Sequence, residues 1–542
     1  MSLAGRFARH LLKDIGQFSD LVLDMPLRAY QLAPLAAVLD SIINQKGIEF
    51  LLVFPRQSGK NEAVAQLLAY VLNLYHRTGG NVVYGAVGDQ LGVGIERLEA
   101  RLANELNHEL WTVQANPTRR CLGQAAVVFL SSHPTAHVRG QTAHHLLVID
   151  ETQDQDAAHI ESVFTPMRAA NNATALYIGT VKTSHDYLWQ KKRELETETE
   201  RDGVRRVFMI YPDEVCREVR AYQDFLEGQL RKYGRYHPII ASEYYLKPID
   251  AEGGLFPPRR LLLMRGDHPR LLSPLTPAPS PPWERGDLLP PLDGGAGGSG
   301  IYVATLDVAG EDEGATDPLA RLAHPGRDYT VATIFRVLWP GPGEYAPGPT
   351  YEAVDVFVDH GSKHFQAYPG RPPLVQRLAA WLQAWDVAHV VADESGVGQG
   401  LVSSLAAILG AHRVTGYSFA GSGQKARLGS LFLSLVETGR FRYWTGDEEQ
   451  EGSDGWWFWR QAEACVYDLP PDGRFDRDLK WEVPTGHRTA TAQGLVPTHD
   501  DRLLSAALVA QLDHLARTCG LALGRAESIV IAANDPFDYL EF

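Results

Sequence analysis

The sequence predicts an α/β protein of two domains, the first on a mostly parallel sheet and the second on a mixed sheet. Three observations lead there. Apolar runs of strand length alternate with helical stretches over residues 1–265. Strands that are apolar throughout belong to a parallel sheet covered on both faces. Residues 266–300 then break the pattern with 8 Pro and 7 Gly. Beyond them, three strand-like runs precede a helix and a fourth strand. The 542 residues leave room for two to four domains at roughly 150 residues each.

The first domain, 1–265, opens its pattern with EFLLVF (49–54). The loop PRQSGK and a helical stretch from Asn61 to Tyr75 follow. NVVYGAV (81–87), AAVVFL (125–130), HLLVID (145–150) and ALYIGT (175–180) are the further strands. IERLEARLANEL is one of the helices between them. Residues 266–300 read as a linker, because such a composition buries no core.

In the second domain, 301–520, IYVATLDVAG (301–310), YTVATIFRVLW (329–339) and YEAVDVFVDHG (351–361) read as neighbouring antiparallel strands. The helix LVQRLAAWLQAW (374–385) leads to the strand HVVADE (389–394), and a late helix runs from about Asp501 to Leu515. Residues 521–542 form a tail.

Composition narrows the class. With 44 % hydrophobic and 22 % charged residues, wholesale disorder, collagen-like repeats and small disulfide scaffolds are excluded. The net charge of −15 argues mildly against a nucleic-acid coating protein. No run reaches the roughly 18 apolar residues of a membrane helix. The N-terminus lacks the apolar stretch of a signal peptide. The four cysteines form no CxxC pair, so reduced thiols in a cytoplasm are expected rather than zinc. The densest basic cluster, Lys191, Lys192 and Arg193, reads as a solvated helix face.

The first constellation is a phosphate cradle with paired carboxylates. Arg56, Gln57, Ser58, Gly59, Lys60 and Asn61 sit between a strand and a helix. Backbone N–H groups of such a turn hold phosphate oxygens, and Lys60 reaches the β- and γ-phosphates of ATP. Phe54 stands in place of the usual first glycine, and Asn61 in place of the usual Ser or Thr. Asp150 and Glu151 end a buried strand, a costly placement unless they meet a cation. Asp150 is the candidate Mg²⁺ ligand, and Glu151 the group that orients or deprotonates the attacking water. Thr180, ending the next strand, is the candidate γ-phosphate sensor. Arg56 or Arg139 is the candidate for neutralising charge on the transferring phosphoryl group. Gln31 is the candidate reader of the adenine edge. This is the pattern of a P-loop NTPase domain.

The second constellation is a set of separated aspartates. Asp307 lies in the middle of an otherwise apolar run, YVATLDVAG, where a charge is rare unless satisfied; Asp393 ends a second apolar run, and Asp500 and Asp501 begin a helix. Carboxylates converging at one sheet edge repel unless divalent cations join them. Two Mg²⁺ or Mn²⁺ ions held so stabilise the attacking and leaving oxygens of a phosphodiester displacement. Asp500 also reads as an N-cap and Asp501 as a charge favoured by the helix dipole.

Together these residues resemble the large terminase subunit of tailed bacteriophages. PRQSGK matches that family's phosphate loop, VIDE its acidic motif and IGT its coupling motif. ASEYYLKPIDAEGGLF (241–256) is similar to its junction between ATPase and nuclease. LDVAG, ADESGVGQG and HDDRLLSAAL resemble its three nuclease motifs. The resemblance implies a P-loop ATPase domain plus an RNase H-like nuclease domain. It implies that ATP hydrolysis drives double-stranded DNA into a procapsid, and that a metal-dependent endonuclease cuts the concatemer. It implies a small terminase subunit, a portal protein and a ring of identical subunits as partners. The implied location is the cytoplasm of a bacterial host, transiently at the procapsid portal, with no membrane. One competing reading is a DNA-remodelling ATPase whose RNase H-like domain only binds. Another is a transposase- or resolvase-like enzyme, which needs no phosphate loop.

Overall fold

Five consecutive residues, Glu49–Val53, form β1, and four of them are fully buried. A strand apolar on both faces needs cover on both faces, and the sheet built around it receives that cover from helices. The computed structural model describes residues 14–88, 90–136, 138, 140–250, 252–274, 301–309, 329–340, 347–360, 363–367, 370–421, 423–470 and 473–518. The chain divides into two compact units, one essentially of residues 1–251 and one essentially of residues 252–542.

The first unit contains β1 and seven further strands. These are β2 (Gly80–Ala86), β3 (Trp111–Ala115), β4 (Thr118–Leu122), β5 (Ala125–Ser131), β6 (Leu146–Ile149), β7 (Thr174–Gly179) and β8 (Val207–Met209). They lie in the order β3-β4-β5-β2-β6-β7-β1-β8. From β5 to β8 every pairing is parallel. Only the edge hairpin β3–β4 pairs antiparallel, with β4 antiparallel to β5. The five strands expected from apolar runs are present. β3, β4 and β8 were not anticipated, being short or, for β3, largely exposed. Leu51, Val83, Val128, Leu147 and Tyr177 are fully buried in one core cluster.

The basic cluster at 191–193 is the solvated face expected only in part: Arg193 is exposed, but Lys191 is not. Lys191 is 3 % exposed, with Nζ 2.9 Å from Glu161 and 3.0 Å from Glu194. Its charge can be buried because carboxylates surround it.

The second unit begins earlier than the expected boundary at 265. Its strands include β9 (Glu252–Gly254), β10 (Arg265–Gly266), β11 (Ile301–Asp307), β12 (Thr330–Leu338), β13 (Thr350–Asp359), β14 (His389–Asp393), β15 (Val414–Tyr417) and β16 (Phe441–Trp444). The main sheet runs β10-β16-β13-β12-β11-β14-β15. β11, β12 and β13 are antiparallel neighbours, as expected, and β14 joins β11 in parallel. The start of the expected linker is ordered. β10 pairs with β16, Leu271 N donates to Val354 O at 2.7 Å, and Arg270 pairs with Asp355 and Asp454. Satisfied backbone groups and a paired guanidinium outweigh the local Pro content. Residues 275–300 and the tail 521–542 lie outside the described residues. The late helix is two helices, Asp501–Ala507 and Val509–Thr518. Cys121, Cys216 and Cys465 are free thiols. Among the described residues, no helix is long and apolar enough to cross a membrane.

Candidate active sites

The first site forms where β1, β6 and β7 end at one edge of the parallel sheet. Such an edge is where open α/β sheets take ligands. Because β7 lies between β1 and β6, Thr180 stands between the phosphate loop and the acidic pair. Thr180 Oγ1 donates to Phe54 O at 3.4 Å.

The loop after β1 turns through two left-handed residues, Gln57 (φ 60°) and Gly59 (φ 89°). Glycine suits the second, and a Cβ there would lie 3.0 Å from Gln31 Nε2. Ser58 Oγ donates to Pro55 O at 2.6 Å, closing the turn. Helix Ala29–Ile43 braces it from outside. Tyr30 OH donates to Ser58 O, and Gln31 Nε2 donates to Gly59 O at 3.2 Å. The other end of the Gln31 amide accepts from Arg28 N at 2.9 Å. Both ends of Gln31 are therefore engaged with backbone.

Lys60 opens the helix Lys60–Tyr75. Its Nζ lies 2.8 Å from Glu151 Oε1 and 3.8 Å from Asp150 Oδ1. Asp150 is fully buried. Its Oδ2 accepts from Tyr84 OH at 2.5 Å and its Oδ1 from Glu151 N at 2.8 Å. Burial raises the Asp150 carboxyl above its ordinary range, with Lys60 pulling the other way. For Glu151, burial also acts upward, but Lys60 and Gln153 outweigh it and hold the carboxyl below its ordinary range. Burial and the Asp150 charge keep the Tyr84 phenol protonated far into alkali. Glu151 itself is held at φ 44°, a conformation that costs on the order of 1 kcal/mol for a non-glycine residue.

Two contributors escaped the sequence reading. Tyr84 comes from mid-strand in NVVYGAV, where it passes for core. Gln153 follows two residues after Glu151, and nothing in its spacing marks it. Asn61 sits beside Lys60 with its Oδ1 shielded from solvent and without a hydrogen-bond partner. Arg56 is half-exposed, and its Nη1 meets both Glu243 oxygens at 2.7 and 2.8 Å. Arg139 lies outside the described residues.

The second site lies in the other unit. β11 and β14 run parallel with Leu306 opposite Ala392. Asp307 and Asp393 are the next residues, so they end adjacent strands at one edge. Helix Asp501–Ala507 packs on β11 and β12. Asp501 Oδ2 accepts from Tyr329 N, at the start of β12, at 3.1 Å. β12 is antiparallel to β11 with Asp307 opposite Val331, so Asp501 reaches the same edge. All three carboxylates are at least nine-tenths buried. Asp500 is turned elsewhere, with its Oδ2 3.4 Å from Lys425 Nζ. It precedes the helix without a side-chain capping bond. A fourth buried carboxylate at this edge, Asp359, is neutralised by Arg371 and Arg377, each at 2.7 Å. Burial raises the Asp393 carboxyl, against the stabilising donors of Ser395. Gly398 must be small, since a Cβ there would stand 2.3 Å from Asp393 O.

Hard oxygen donors suit Mg²⁺ or Mn²⁺ at both sites. At the first, Asp150 and the orphaned Asn61 oxygen provide them. At the second, Asp307, Asp393 and Asp501 provide them. Among the described residues, however, no three His, Cys, Asp or Glu side chains are grouped closely enough to hold an ion.

The structure is similar to solved bacteriophage large terminases. One, from a thermophilic bacteriophage, is 12 % identical, with 90 % of this chain and 99 % of that chain covered and a TM-score of 0.41. The HK97 bacteriophage large terminase is 13 % identical, with 92 % and 99 % covered and a TM-score of 0.36. The magnesium-bound large terminase nuclease of thermophilic phage G20c is 18 % identical, with 39 % and 81 % covered and a TM-score of 0.25. No protein-family model matches the chain, and no curated protein matches it.

Proposed function

We propose that this chain is a large terminase subunit of a tailed bacteriophage, an ATPase that translocates double-stranded DNA and a metal-dependent endonuclease that cuts it. The observation that carries the reading is the meeting of Lys60 with Asp150 and Glu151 at the sheet edge. A phosphate loop and an acidic pair on strand ends one strand apart in the sheet are the working parts of an ATP-hydrolysing site.

The chain's own residues divide the work. The turn from Arg56 to Gly59 cradles phosphate oxygens, and Lys60 exchanges its carboxylate partners for the β- and γ-phosphates. Glu151, kept ionised, accepts a proton from the attacking water. Thr180 stands beside that water. Asp150 and Asn61 would hold the magnesium ion, which supplies charge neutralisation on the phosphate oxygens. Arg56 would add positive charge after leaving Glu243, and Arg139 is the alternative donor of that charge.

In the second unit Asp307, Asp393 and Asp501 would hold the cations, and Asp500 pairs with Lys425. Two such ions stabilise the attacking and leaving oxygens of a phosphodiester. Partners on this reading are double-stranded DNA, a small terminase subunit, the portal and further copies of this chain in a ring. Its place is the host cytoplasm and, transiently, the procapsid portal.

The test uses the full chain. ATP turnover should vanish in Lys60→Ala, and plasmid cleavage with Mn²⁺ should vanish in Asp393→Ala while ATP turnover persists. Wild-type protein that turns over no ATP and leaves plasmid intact under all metal conditions sinks the proposal. An active ATPase without cleavage would favour the DNA-remodelling alternative.

A further inference from the structure

Gln153 ties together two elements that the sequence motifs treat separately. Its Nε2 donates to Glu151 Oε2 at 2.7 Å, and its Oε1 accepts from Thr180 N at 3.1 Å. The orientation of the amide is dictated by its partners. A backbone N–H can only donate and an ionised carboxylate can only accept, so the oxygen must face Thr180 and the nitrogen Glu151. The side chain is buried, so water does not compete freely for either bond.

The surroundings hold the amide in place. Thr152 Oγ1 donates to Ile149 O at 3.1 Å and Ile178 O at 3.0 Å, pinning the turn to the ends of β6 and β7. Lys182 Nζ pairs with Asp154 at 2.6 Å, clamping the same two loops from the solvent side. Gly179 admits the amide, since a Cβ there would fall 2.3 Å from Gln153 Oε1. Just beyond Thr180, Thr183 bridges Ile249, close to where the chain passes from the first unit to the second.

We propose that Gln153 is a positioning residue: it aims the Glu151 carboxylate and couples its orientation to Thr180 at the end of β7. The proposal rests on the ATPase reading above. One carboxylate oxygen is held by Lys60 and the other by Gln153. When Lys60 turns to phosphate, the Gln153 bond still keeps Glu151 aimed. A displacement of Glu151 is then felt at Thr180 and the strand end beyond it.

Two variants in the full-length protein separate the halves of the tie. Gln153→Glu keeps an acceptor for Thr180 N but sets a second carboxylate against Glu151. Gln153→Leu removes both bonds at similar volume. Steady-state ATP turnover is measured beside the affinity of a fluorescent ADP analogue and the thermal midpoint. Both variants should lose about tenfold or more in kcat, the scale of a misaimed catalytic group, with ADP affinity unchanged; Gln153→Glu should also lower the thermal midpoint, since it sets a second carboxylate against Glu151 in a buried site, while staying folded at the assay temperature. Wild-type kcat in Gln153→Glu overturns the proposal, because a role exercised only through Thr180 would survive that change. So does a kcat loss matched by lost ADP affinity. Wild-type protein without ATP turnover overturns the ATPase reading and this inference together. An active wild type, an inactive Lys60→Ala and unaffected Gln153 variants overturn this inference alone.

Discussion

Lys60 Nζ lies 2.8 Å from Glu151 Oε1 and 3.8 Å from Asp150 Oδ1, so one cation sets the charge of two adjacent carboxylates. Removing it leaves that pair facing each other in a buried site. Lys60→Ala should therefore destabilise the first unit as well as stop ATP turnover. Breaking a buried pair by deleting one partner costs on the order of 3 kcal/mol. The measurement is the first unfolding transition in urea, compared with Lys60→Ala/Glu151→Gln. A double variant no more stable than the single would refute the shared-cation account.

Asn61 should trade stability against magnesium. Its Oδ1 is buried without a partner, an arrangement that costs about 1–3 kcal/mol. Asn61→Leu removes that orphan and should raise the thermal midpoint. It should also raise the Mg²⁺ concentration for half-maximal ATP turnover by about tenfold or more. Asn61→Ser should keep the wild-type magnesium requirement. An unchanged requirement in the leucine variant removes Asn61 from the metal reading.

The two adjacent aspartates should separate cleanly. Asp501→Asn should abolish plasmid cleavage with Mn²⁺, since its carboxylate reaches the strand edge shared by Asp307 and Asp393. The asparagine can still accept from Tyr329 N, so folding should survive. Asp500→Asn should cut normally, because Asp500 faces Lys425. The reverse pattern would exchange their roles.

Acid should loosen the first unit through Glu161. Burial tends to raise this carboxyl, but the Tyr187 hydroxyl, Lys191 and Thr165 outweigh it and hold it below its ordinary value. A depressed folded value means the contribution is complete above the unfolded carboxyl value, about 4.3, and fades as pH falls through the folded one. Glu161→Gln should flatten the acid-side decline of the thermal midpoint below about pH 4.5. A decline identical to wild type would place the acid sensitivity elsewhere.

Much of the fold was legible because its signals are local. Five strands of the first sheet and four of the second are apolar runs bounded by turns. The hairpin β3–β4 and the strand β8 were hidden, since short or exposed strands owe their existence to a neighbour's unpaired backbone. The boundary at 265 came out late because β9 is three residues whose only strand-like property is its partner, the remote segment Val466–Asp468. Lys191 looked like surface for a related reason. Its helix supplies the charge, but Glu49 and Glu161, far away in sequence, decide that it is buried.

By itself the sequence determined the two-unit α/β plan, the phosphate loop, the acidic pair and the short list of aspartates. These follow from residue type and spacing along one strand or turn. Tertiary structure alone decided which atoms meet. It put Thr180 between the loop and the acidic pair, because β7 is inserted between β1 and β6. It turned Asp501 toward Tyr329 and Asp500 toward Lys425 by the pitch of one helix against β11 and β12. It recruited Tyr84 and Gln153, whose roles arise from strand order and a turn rather than from any motif. Hydrogen bonds act over about 3 Å, and only the folded chain brings residues remote in sequence that close.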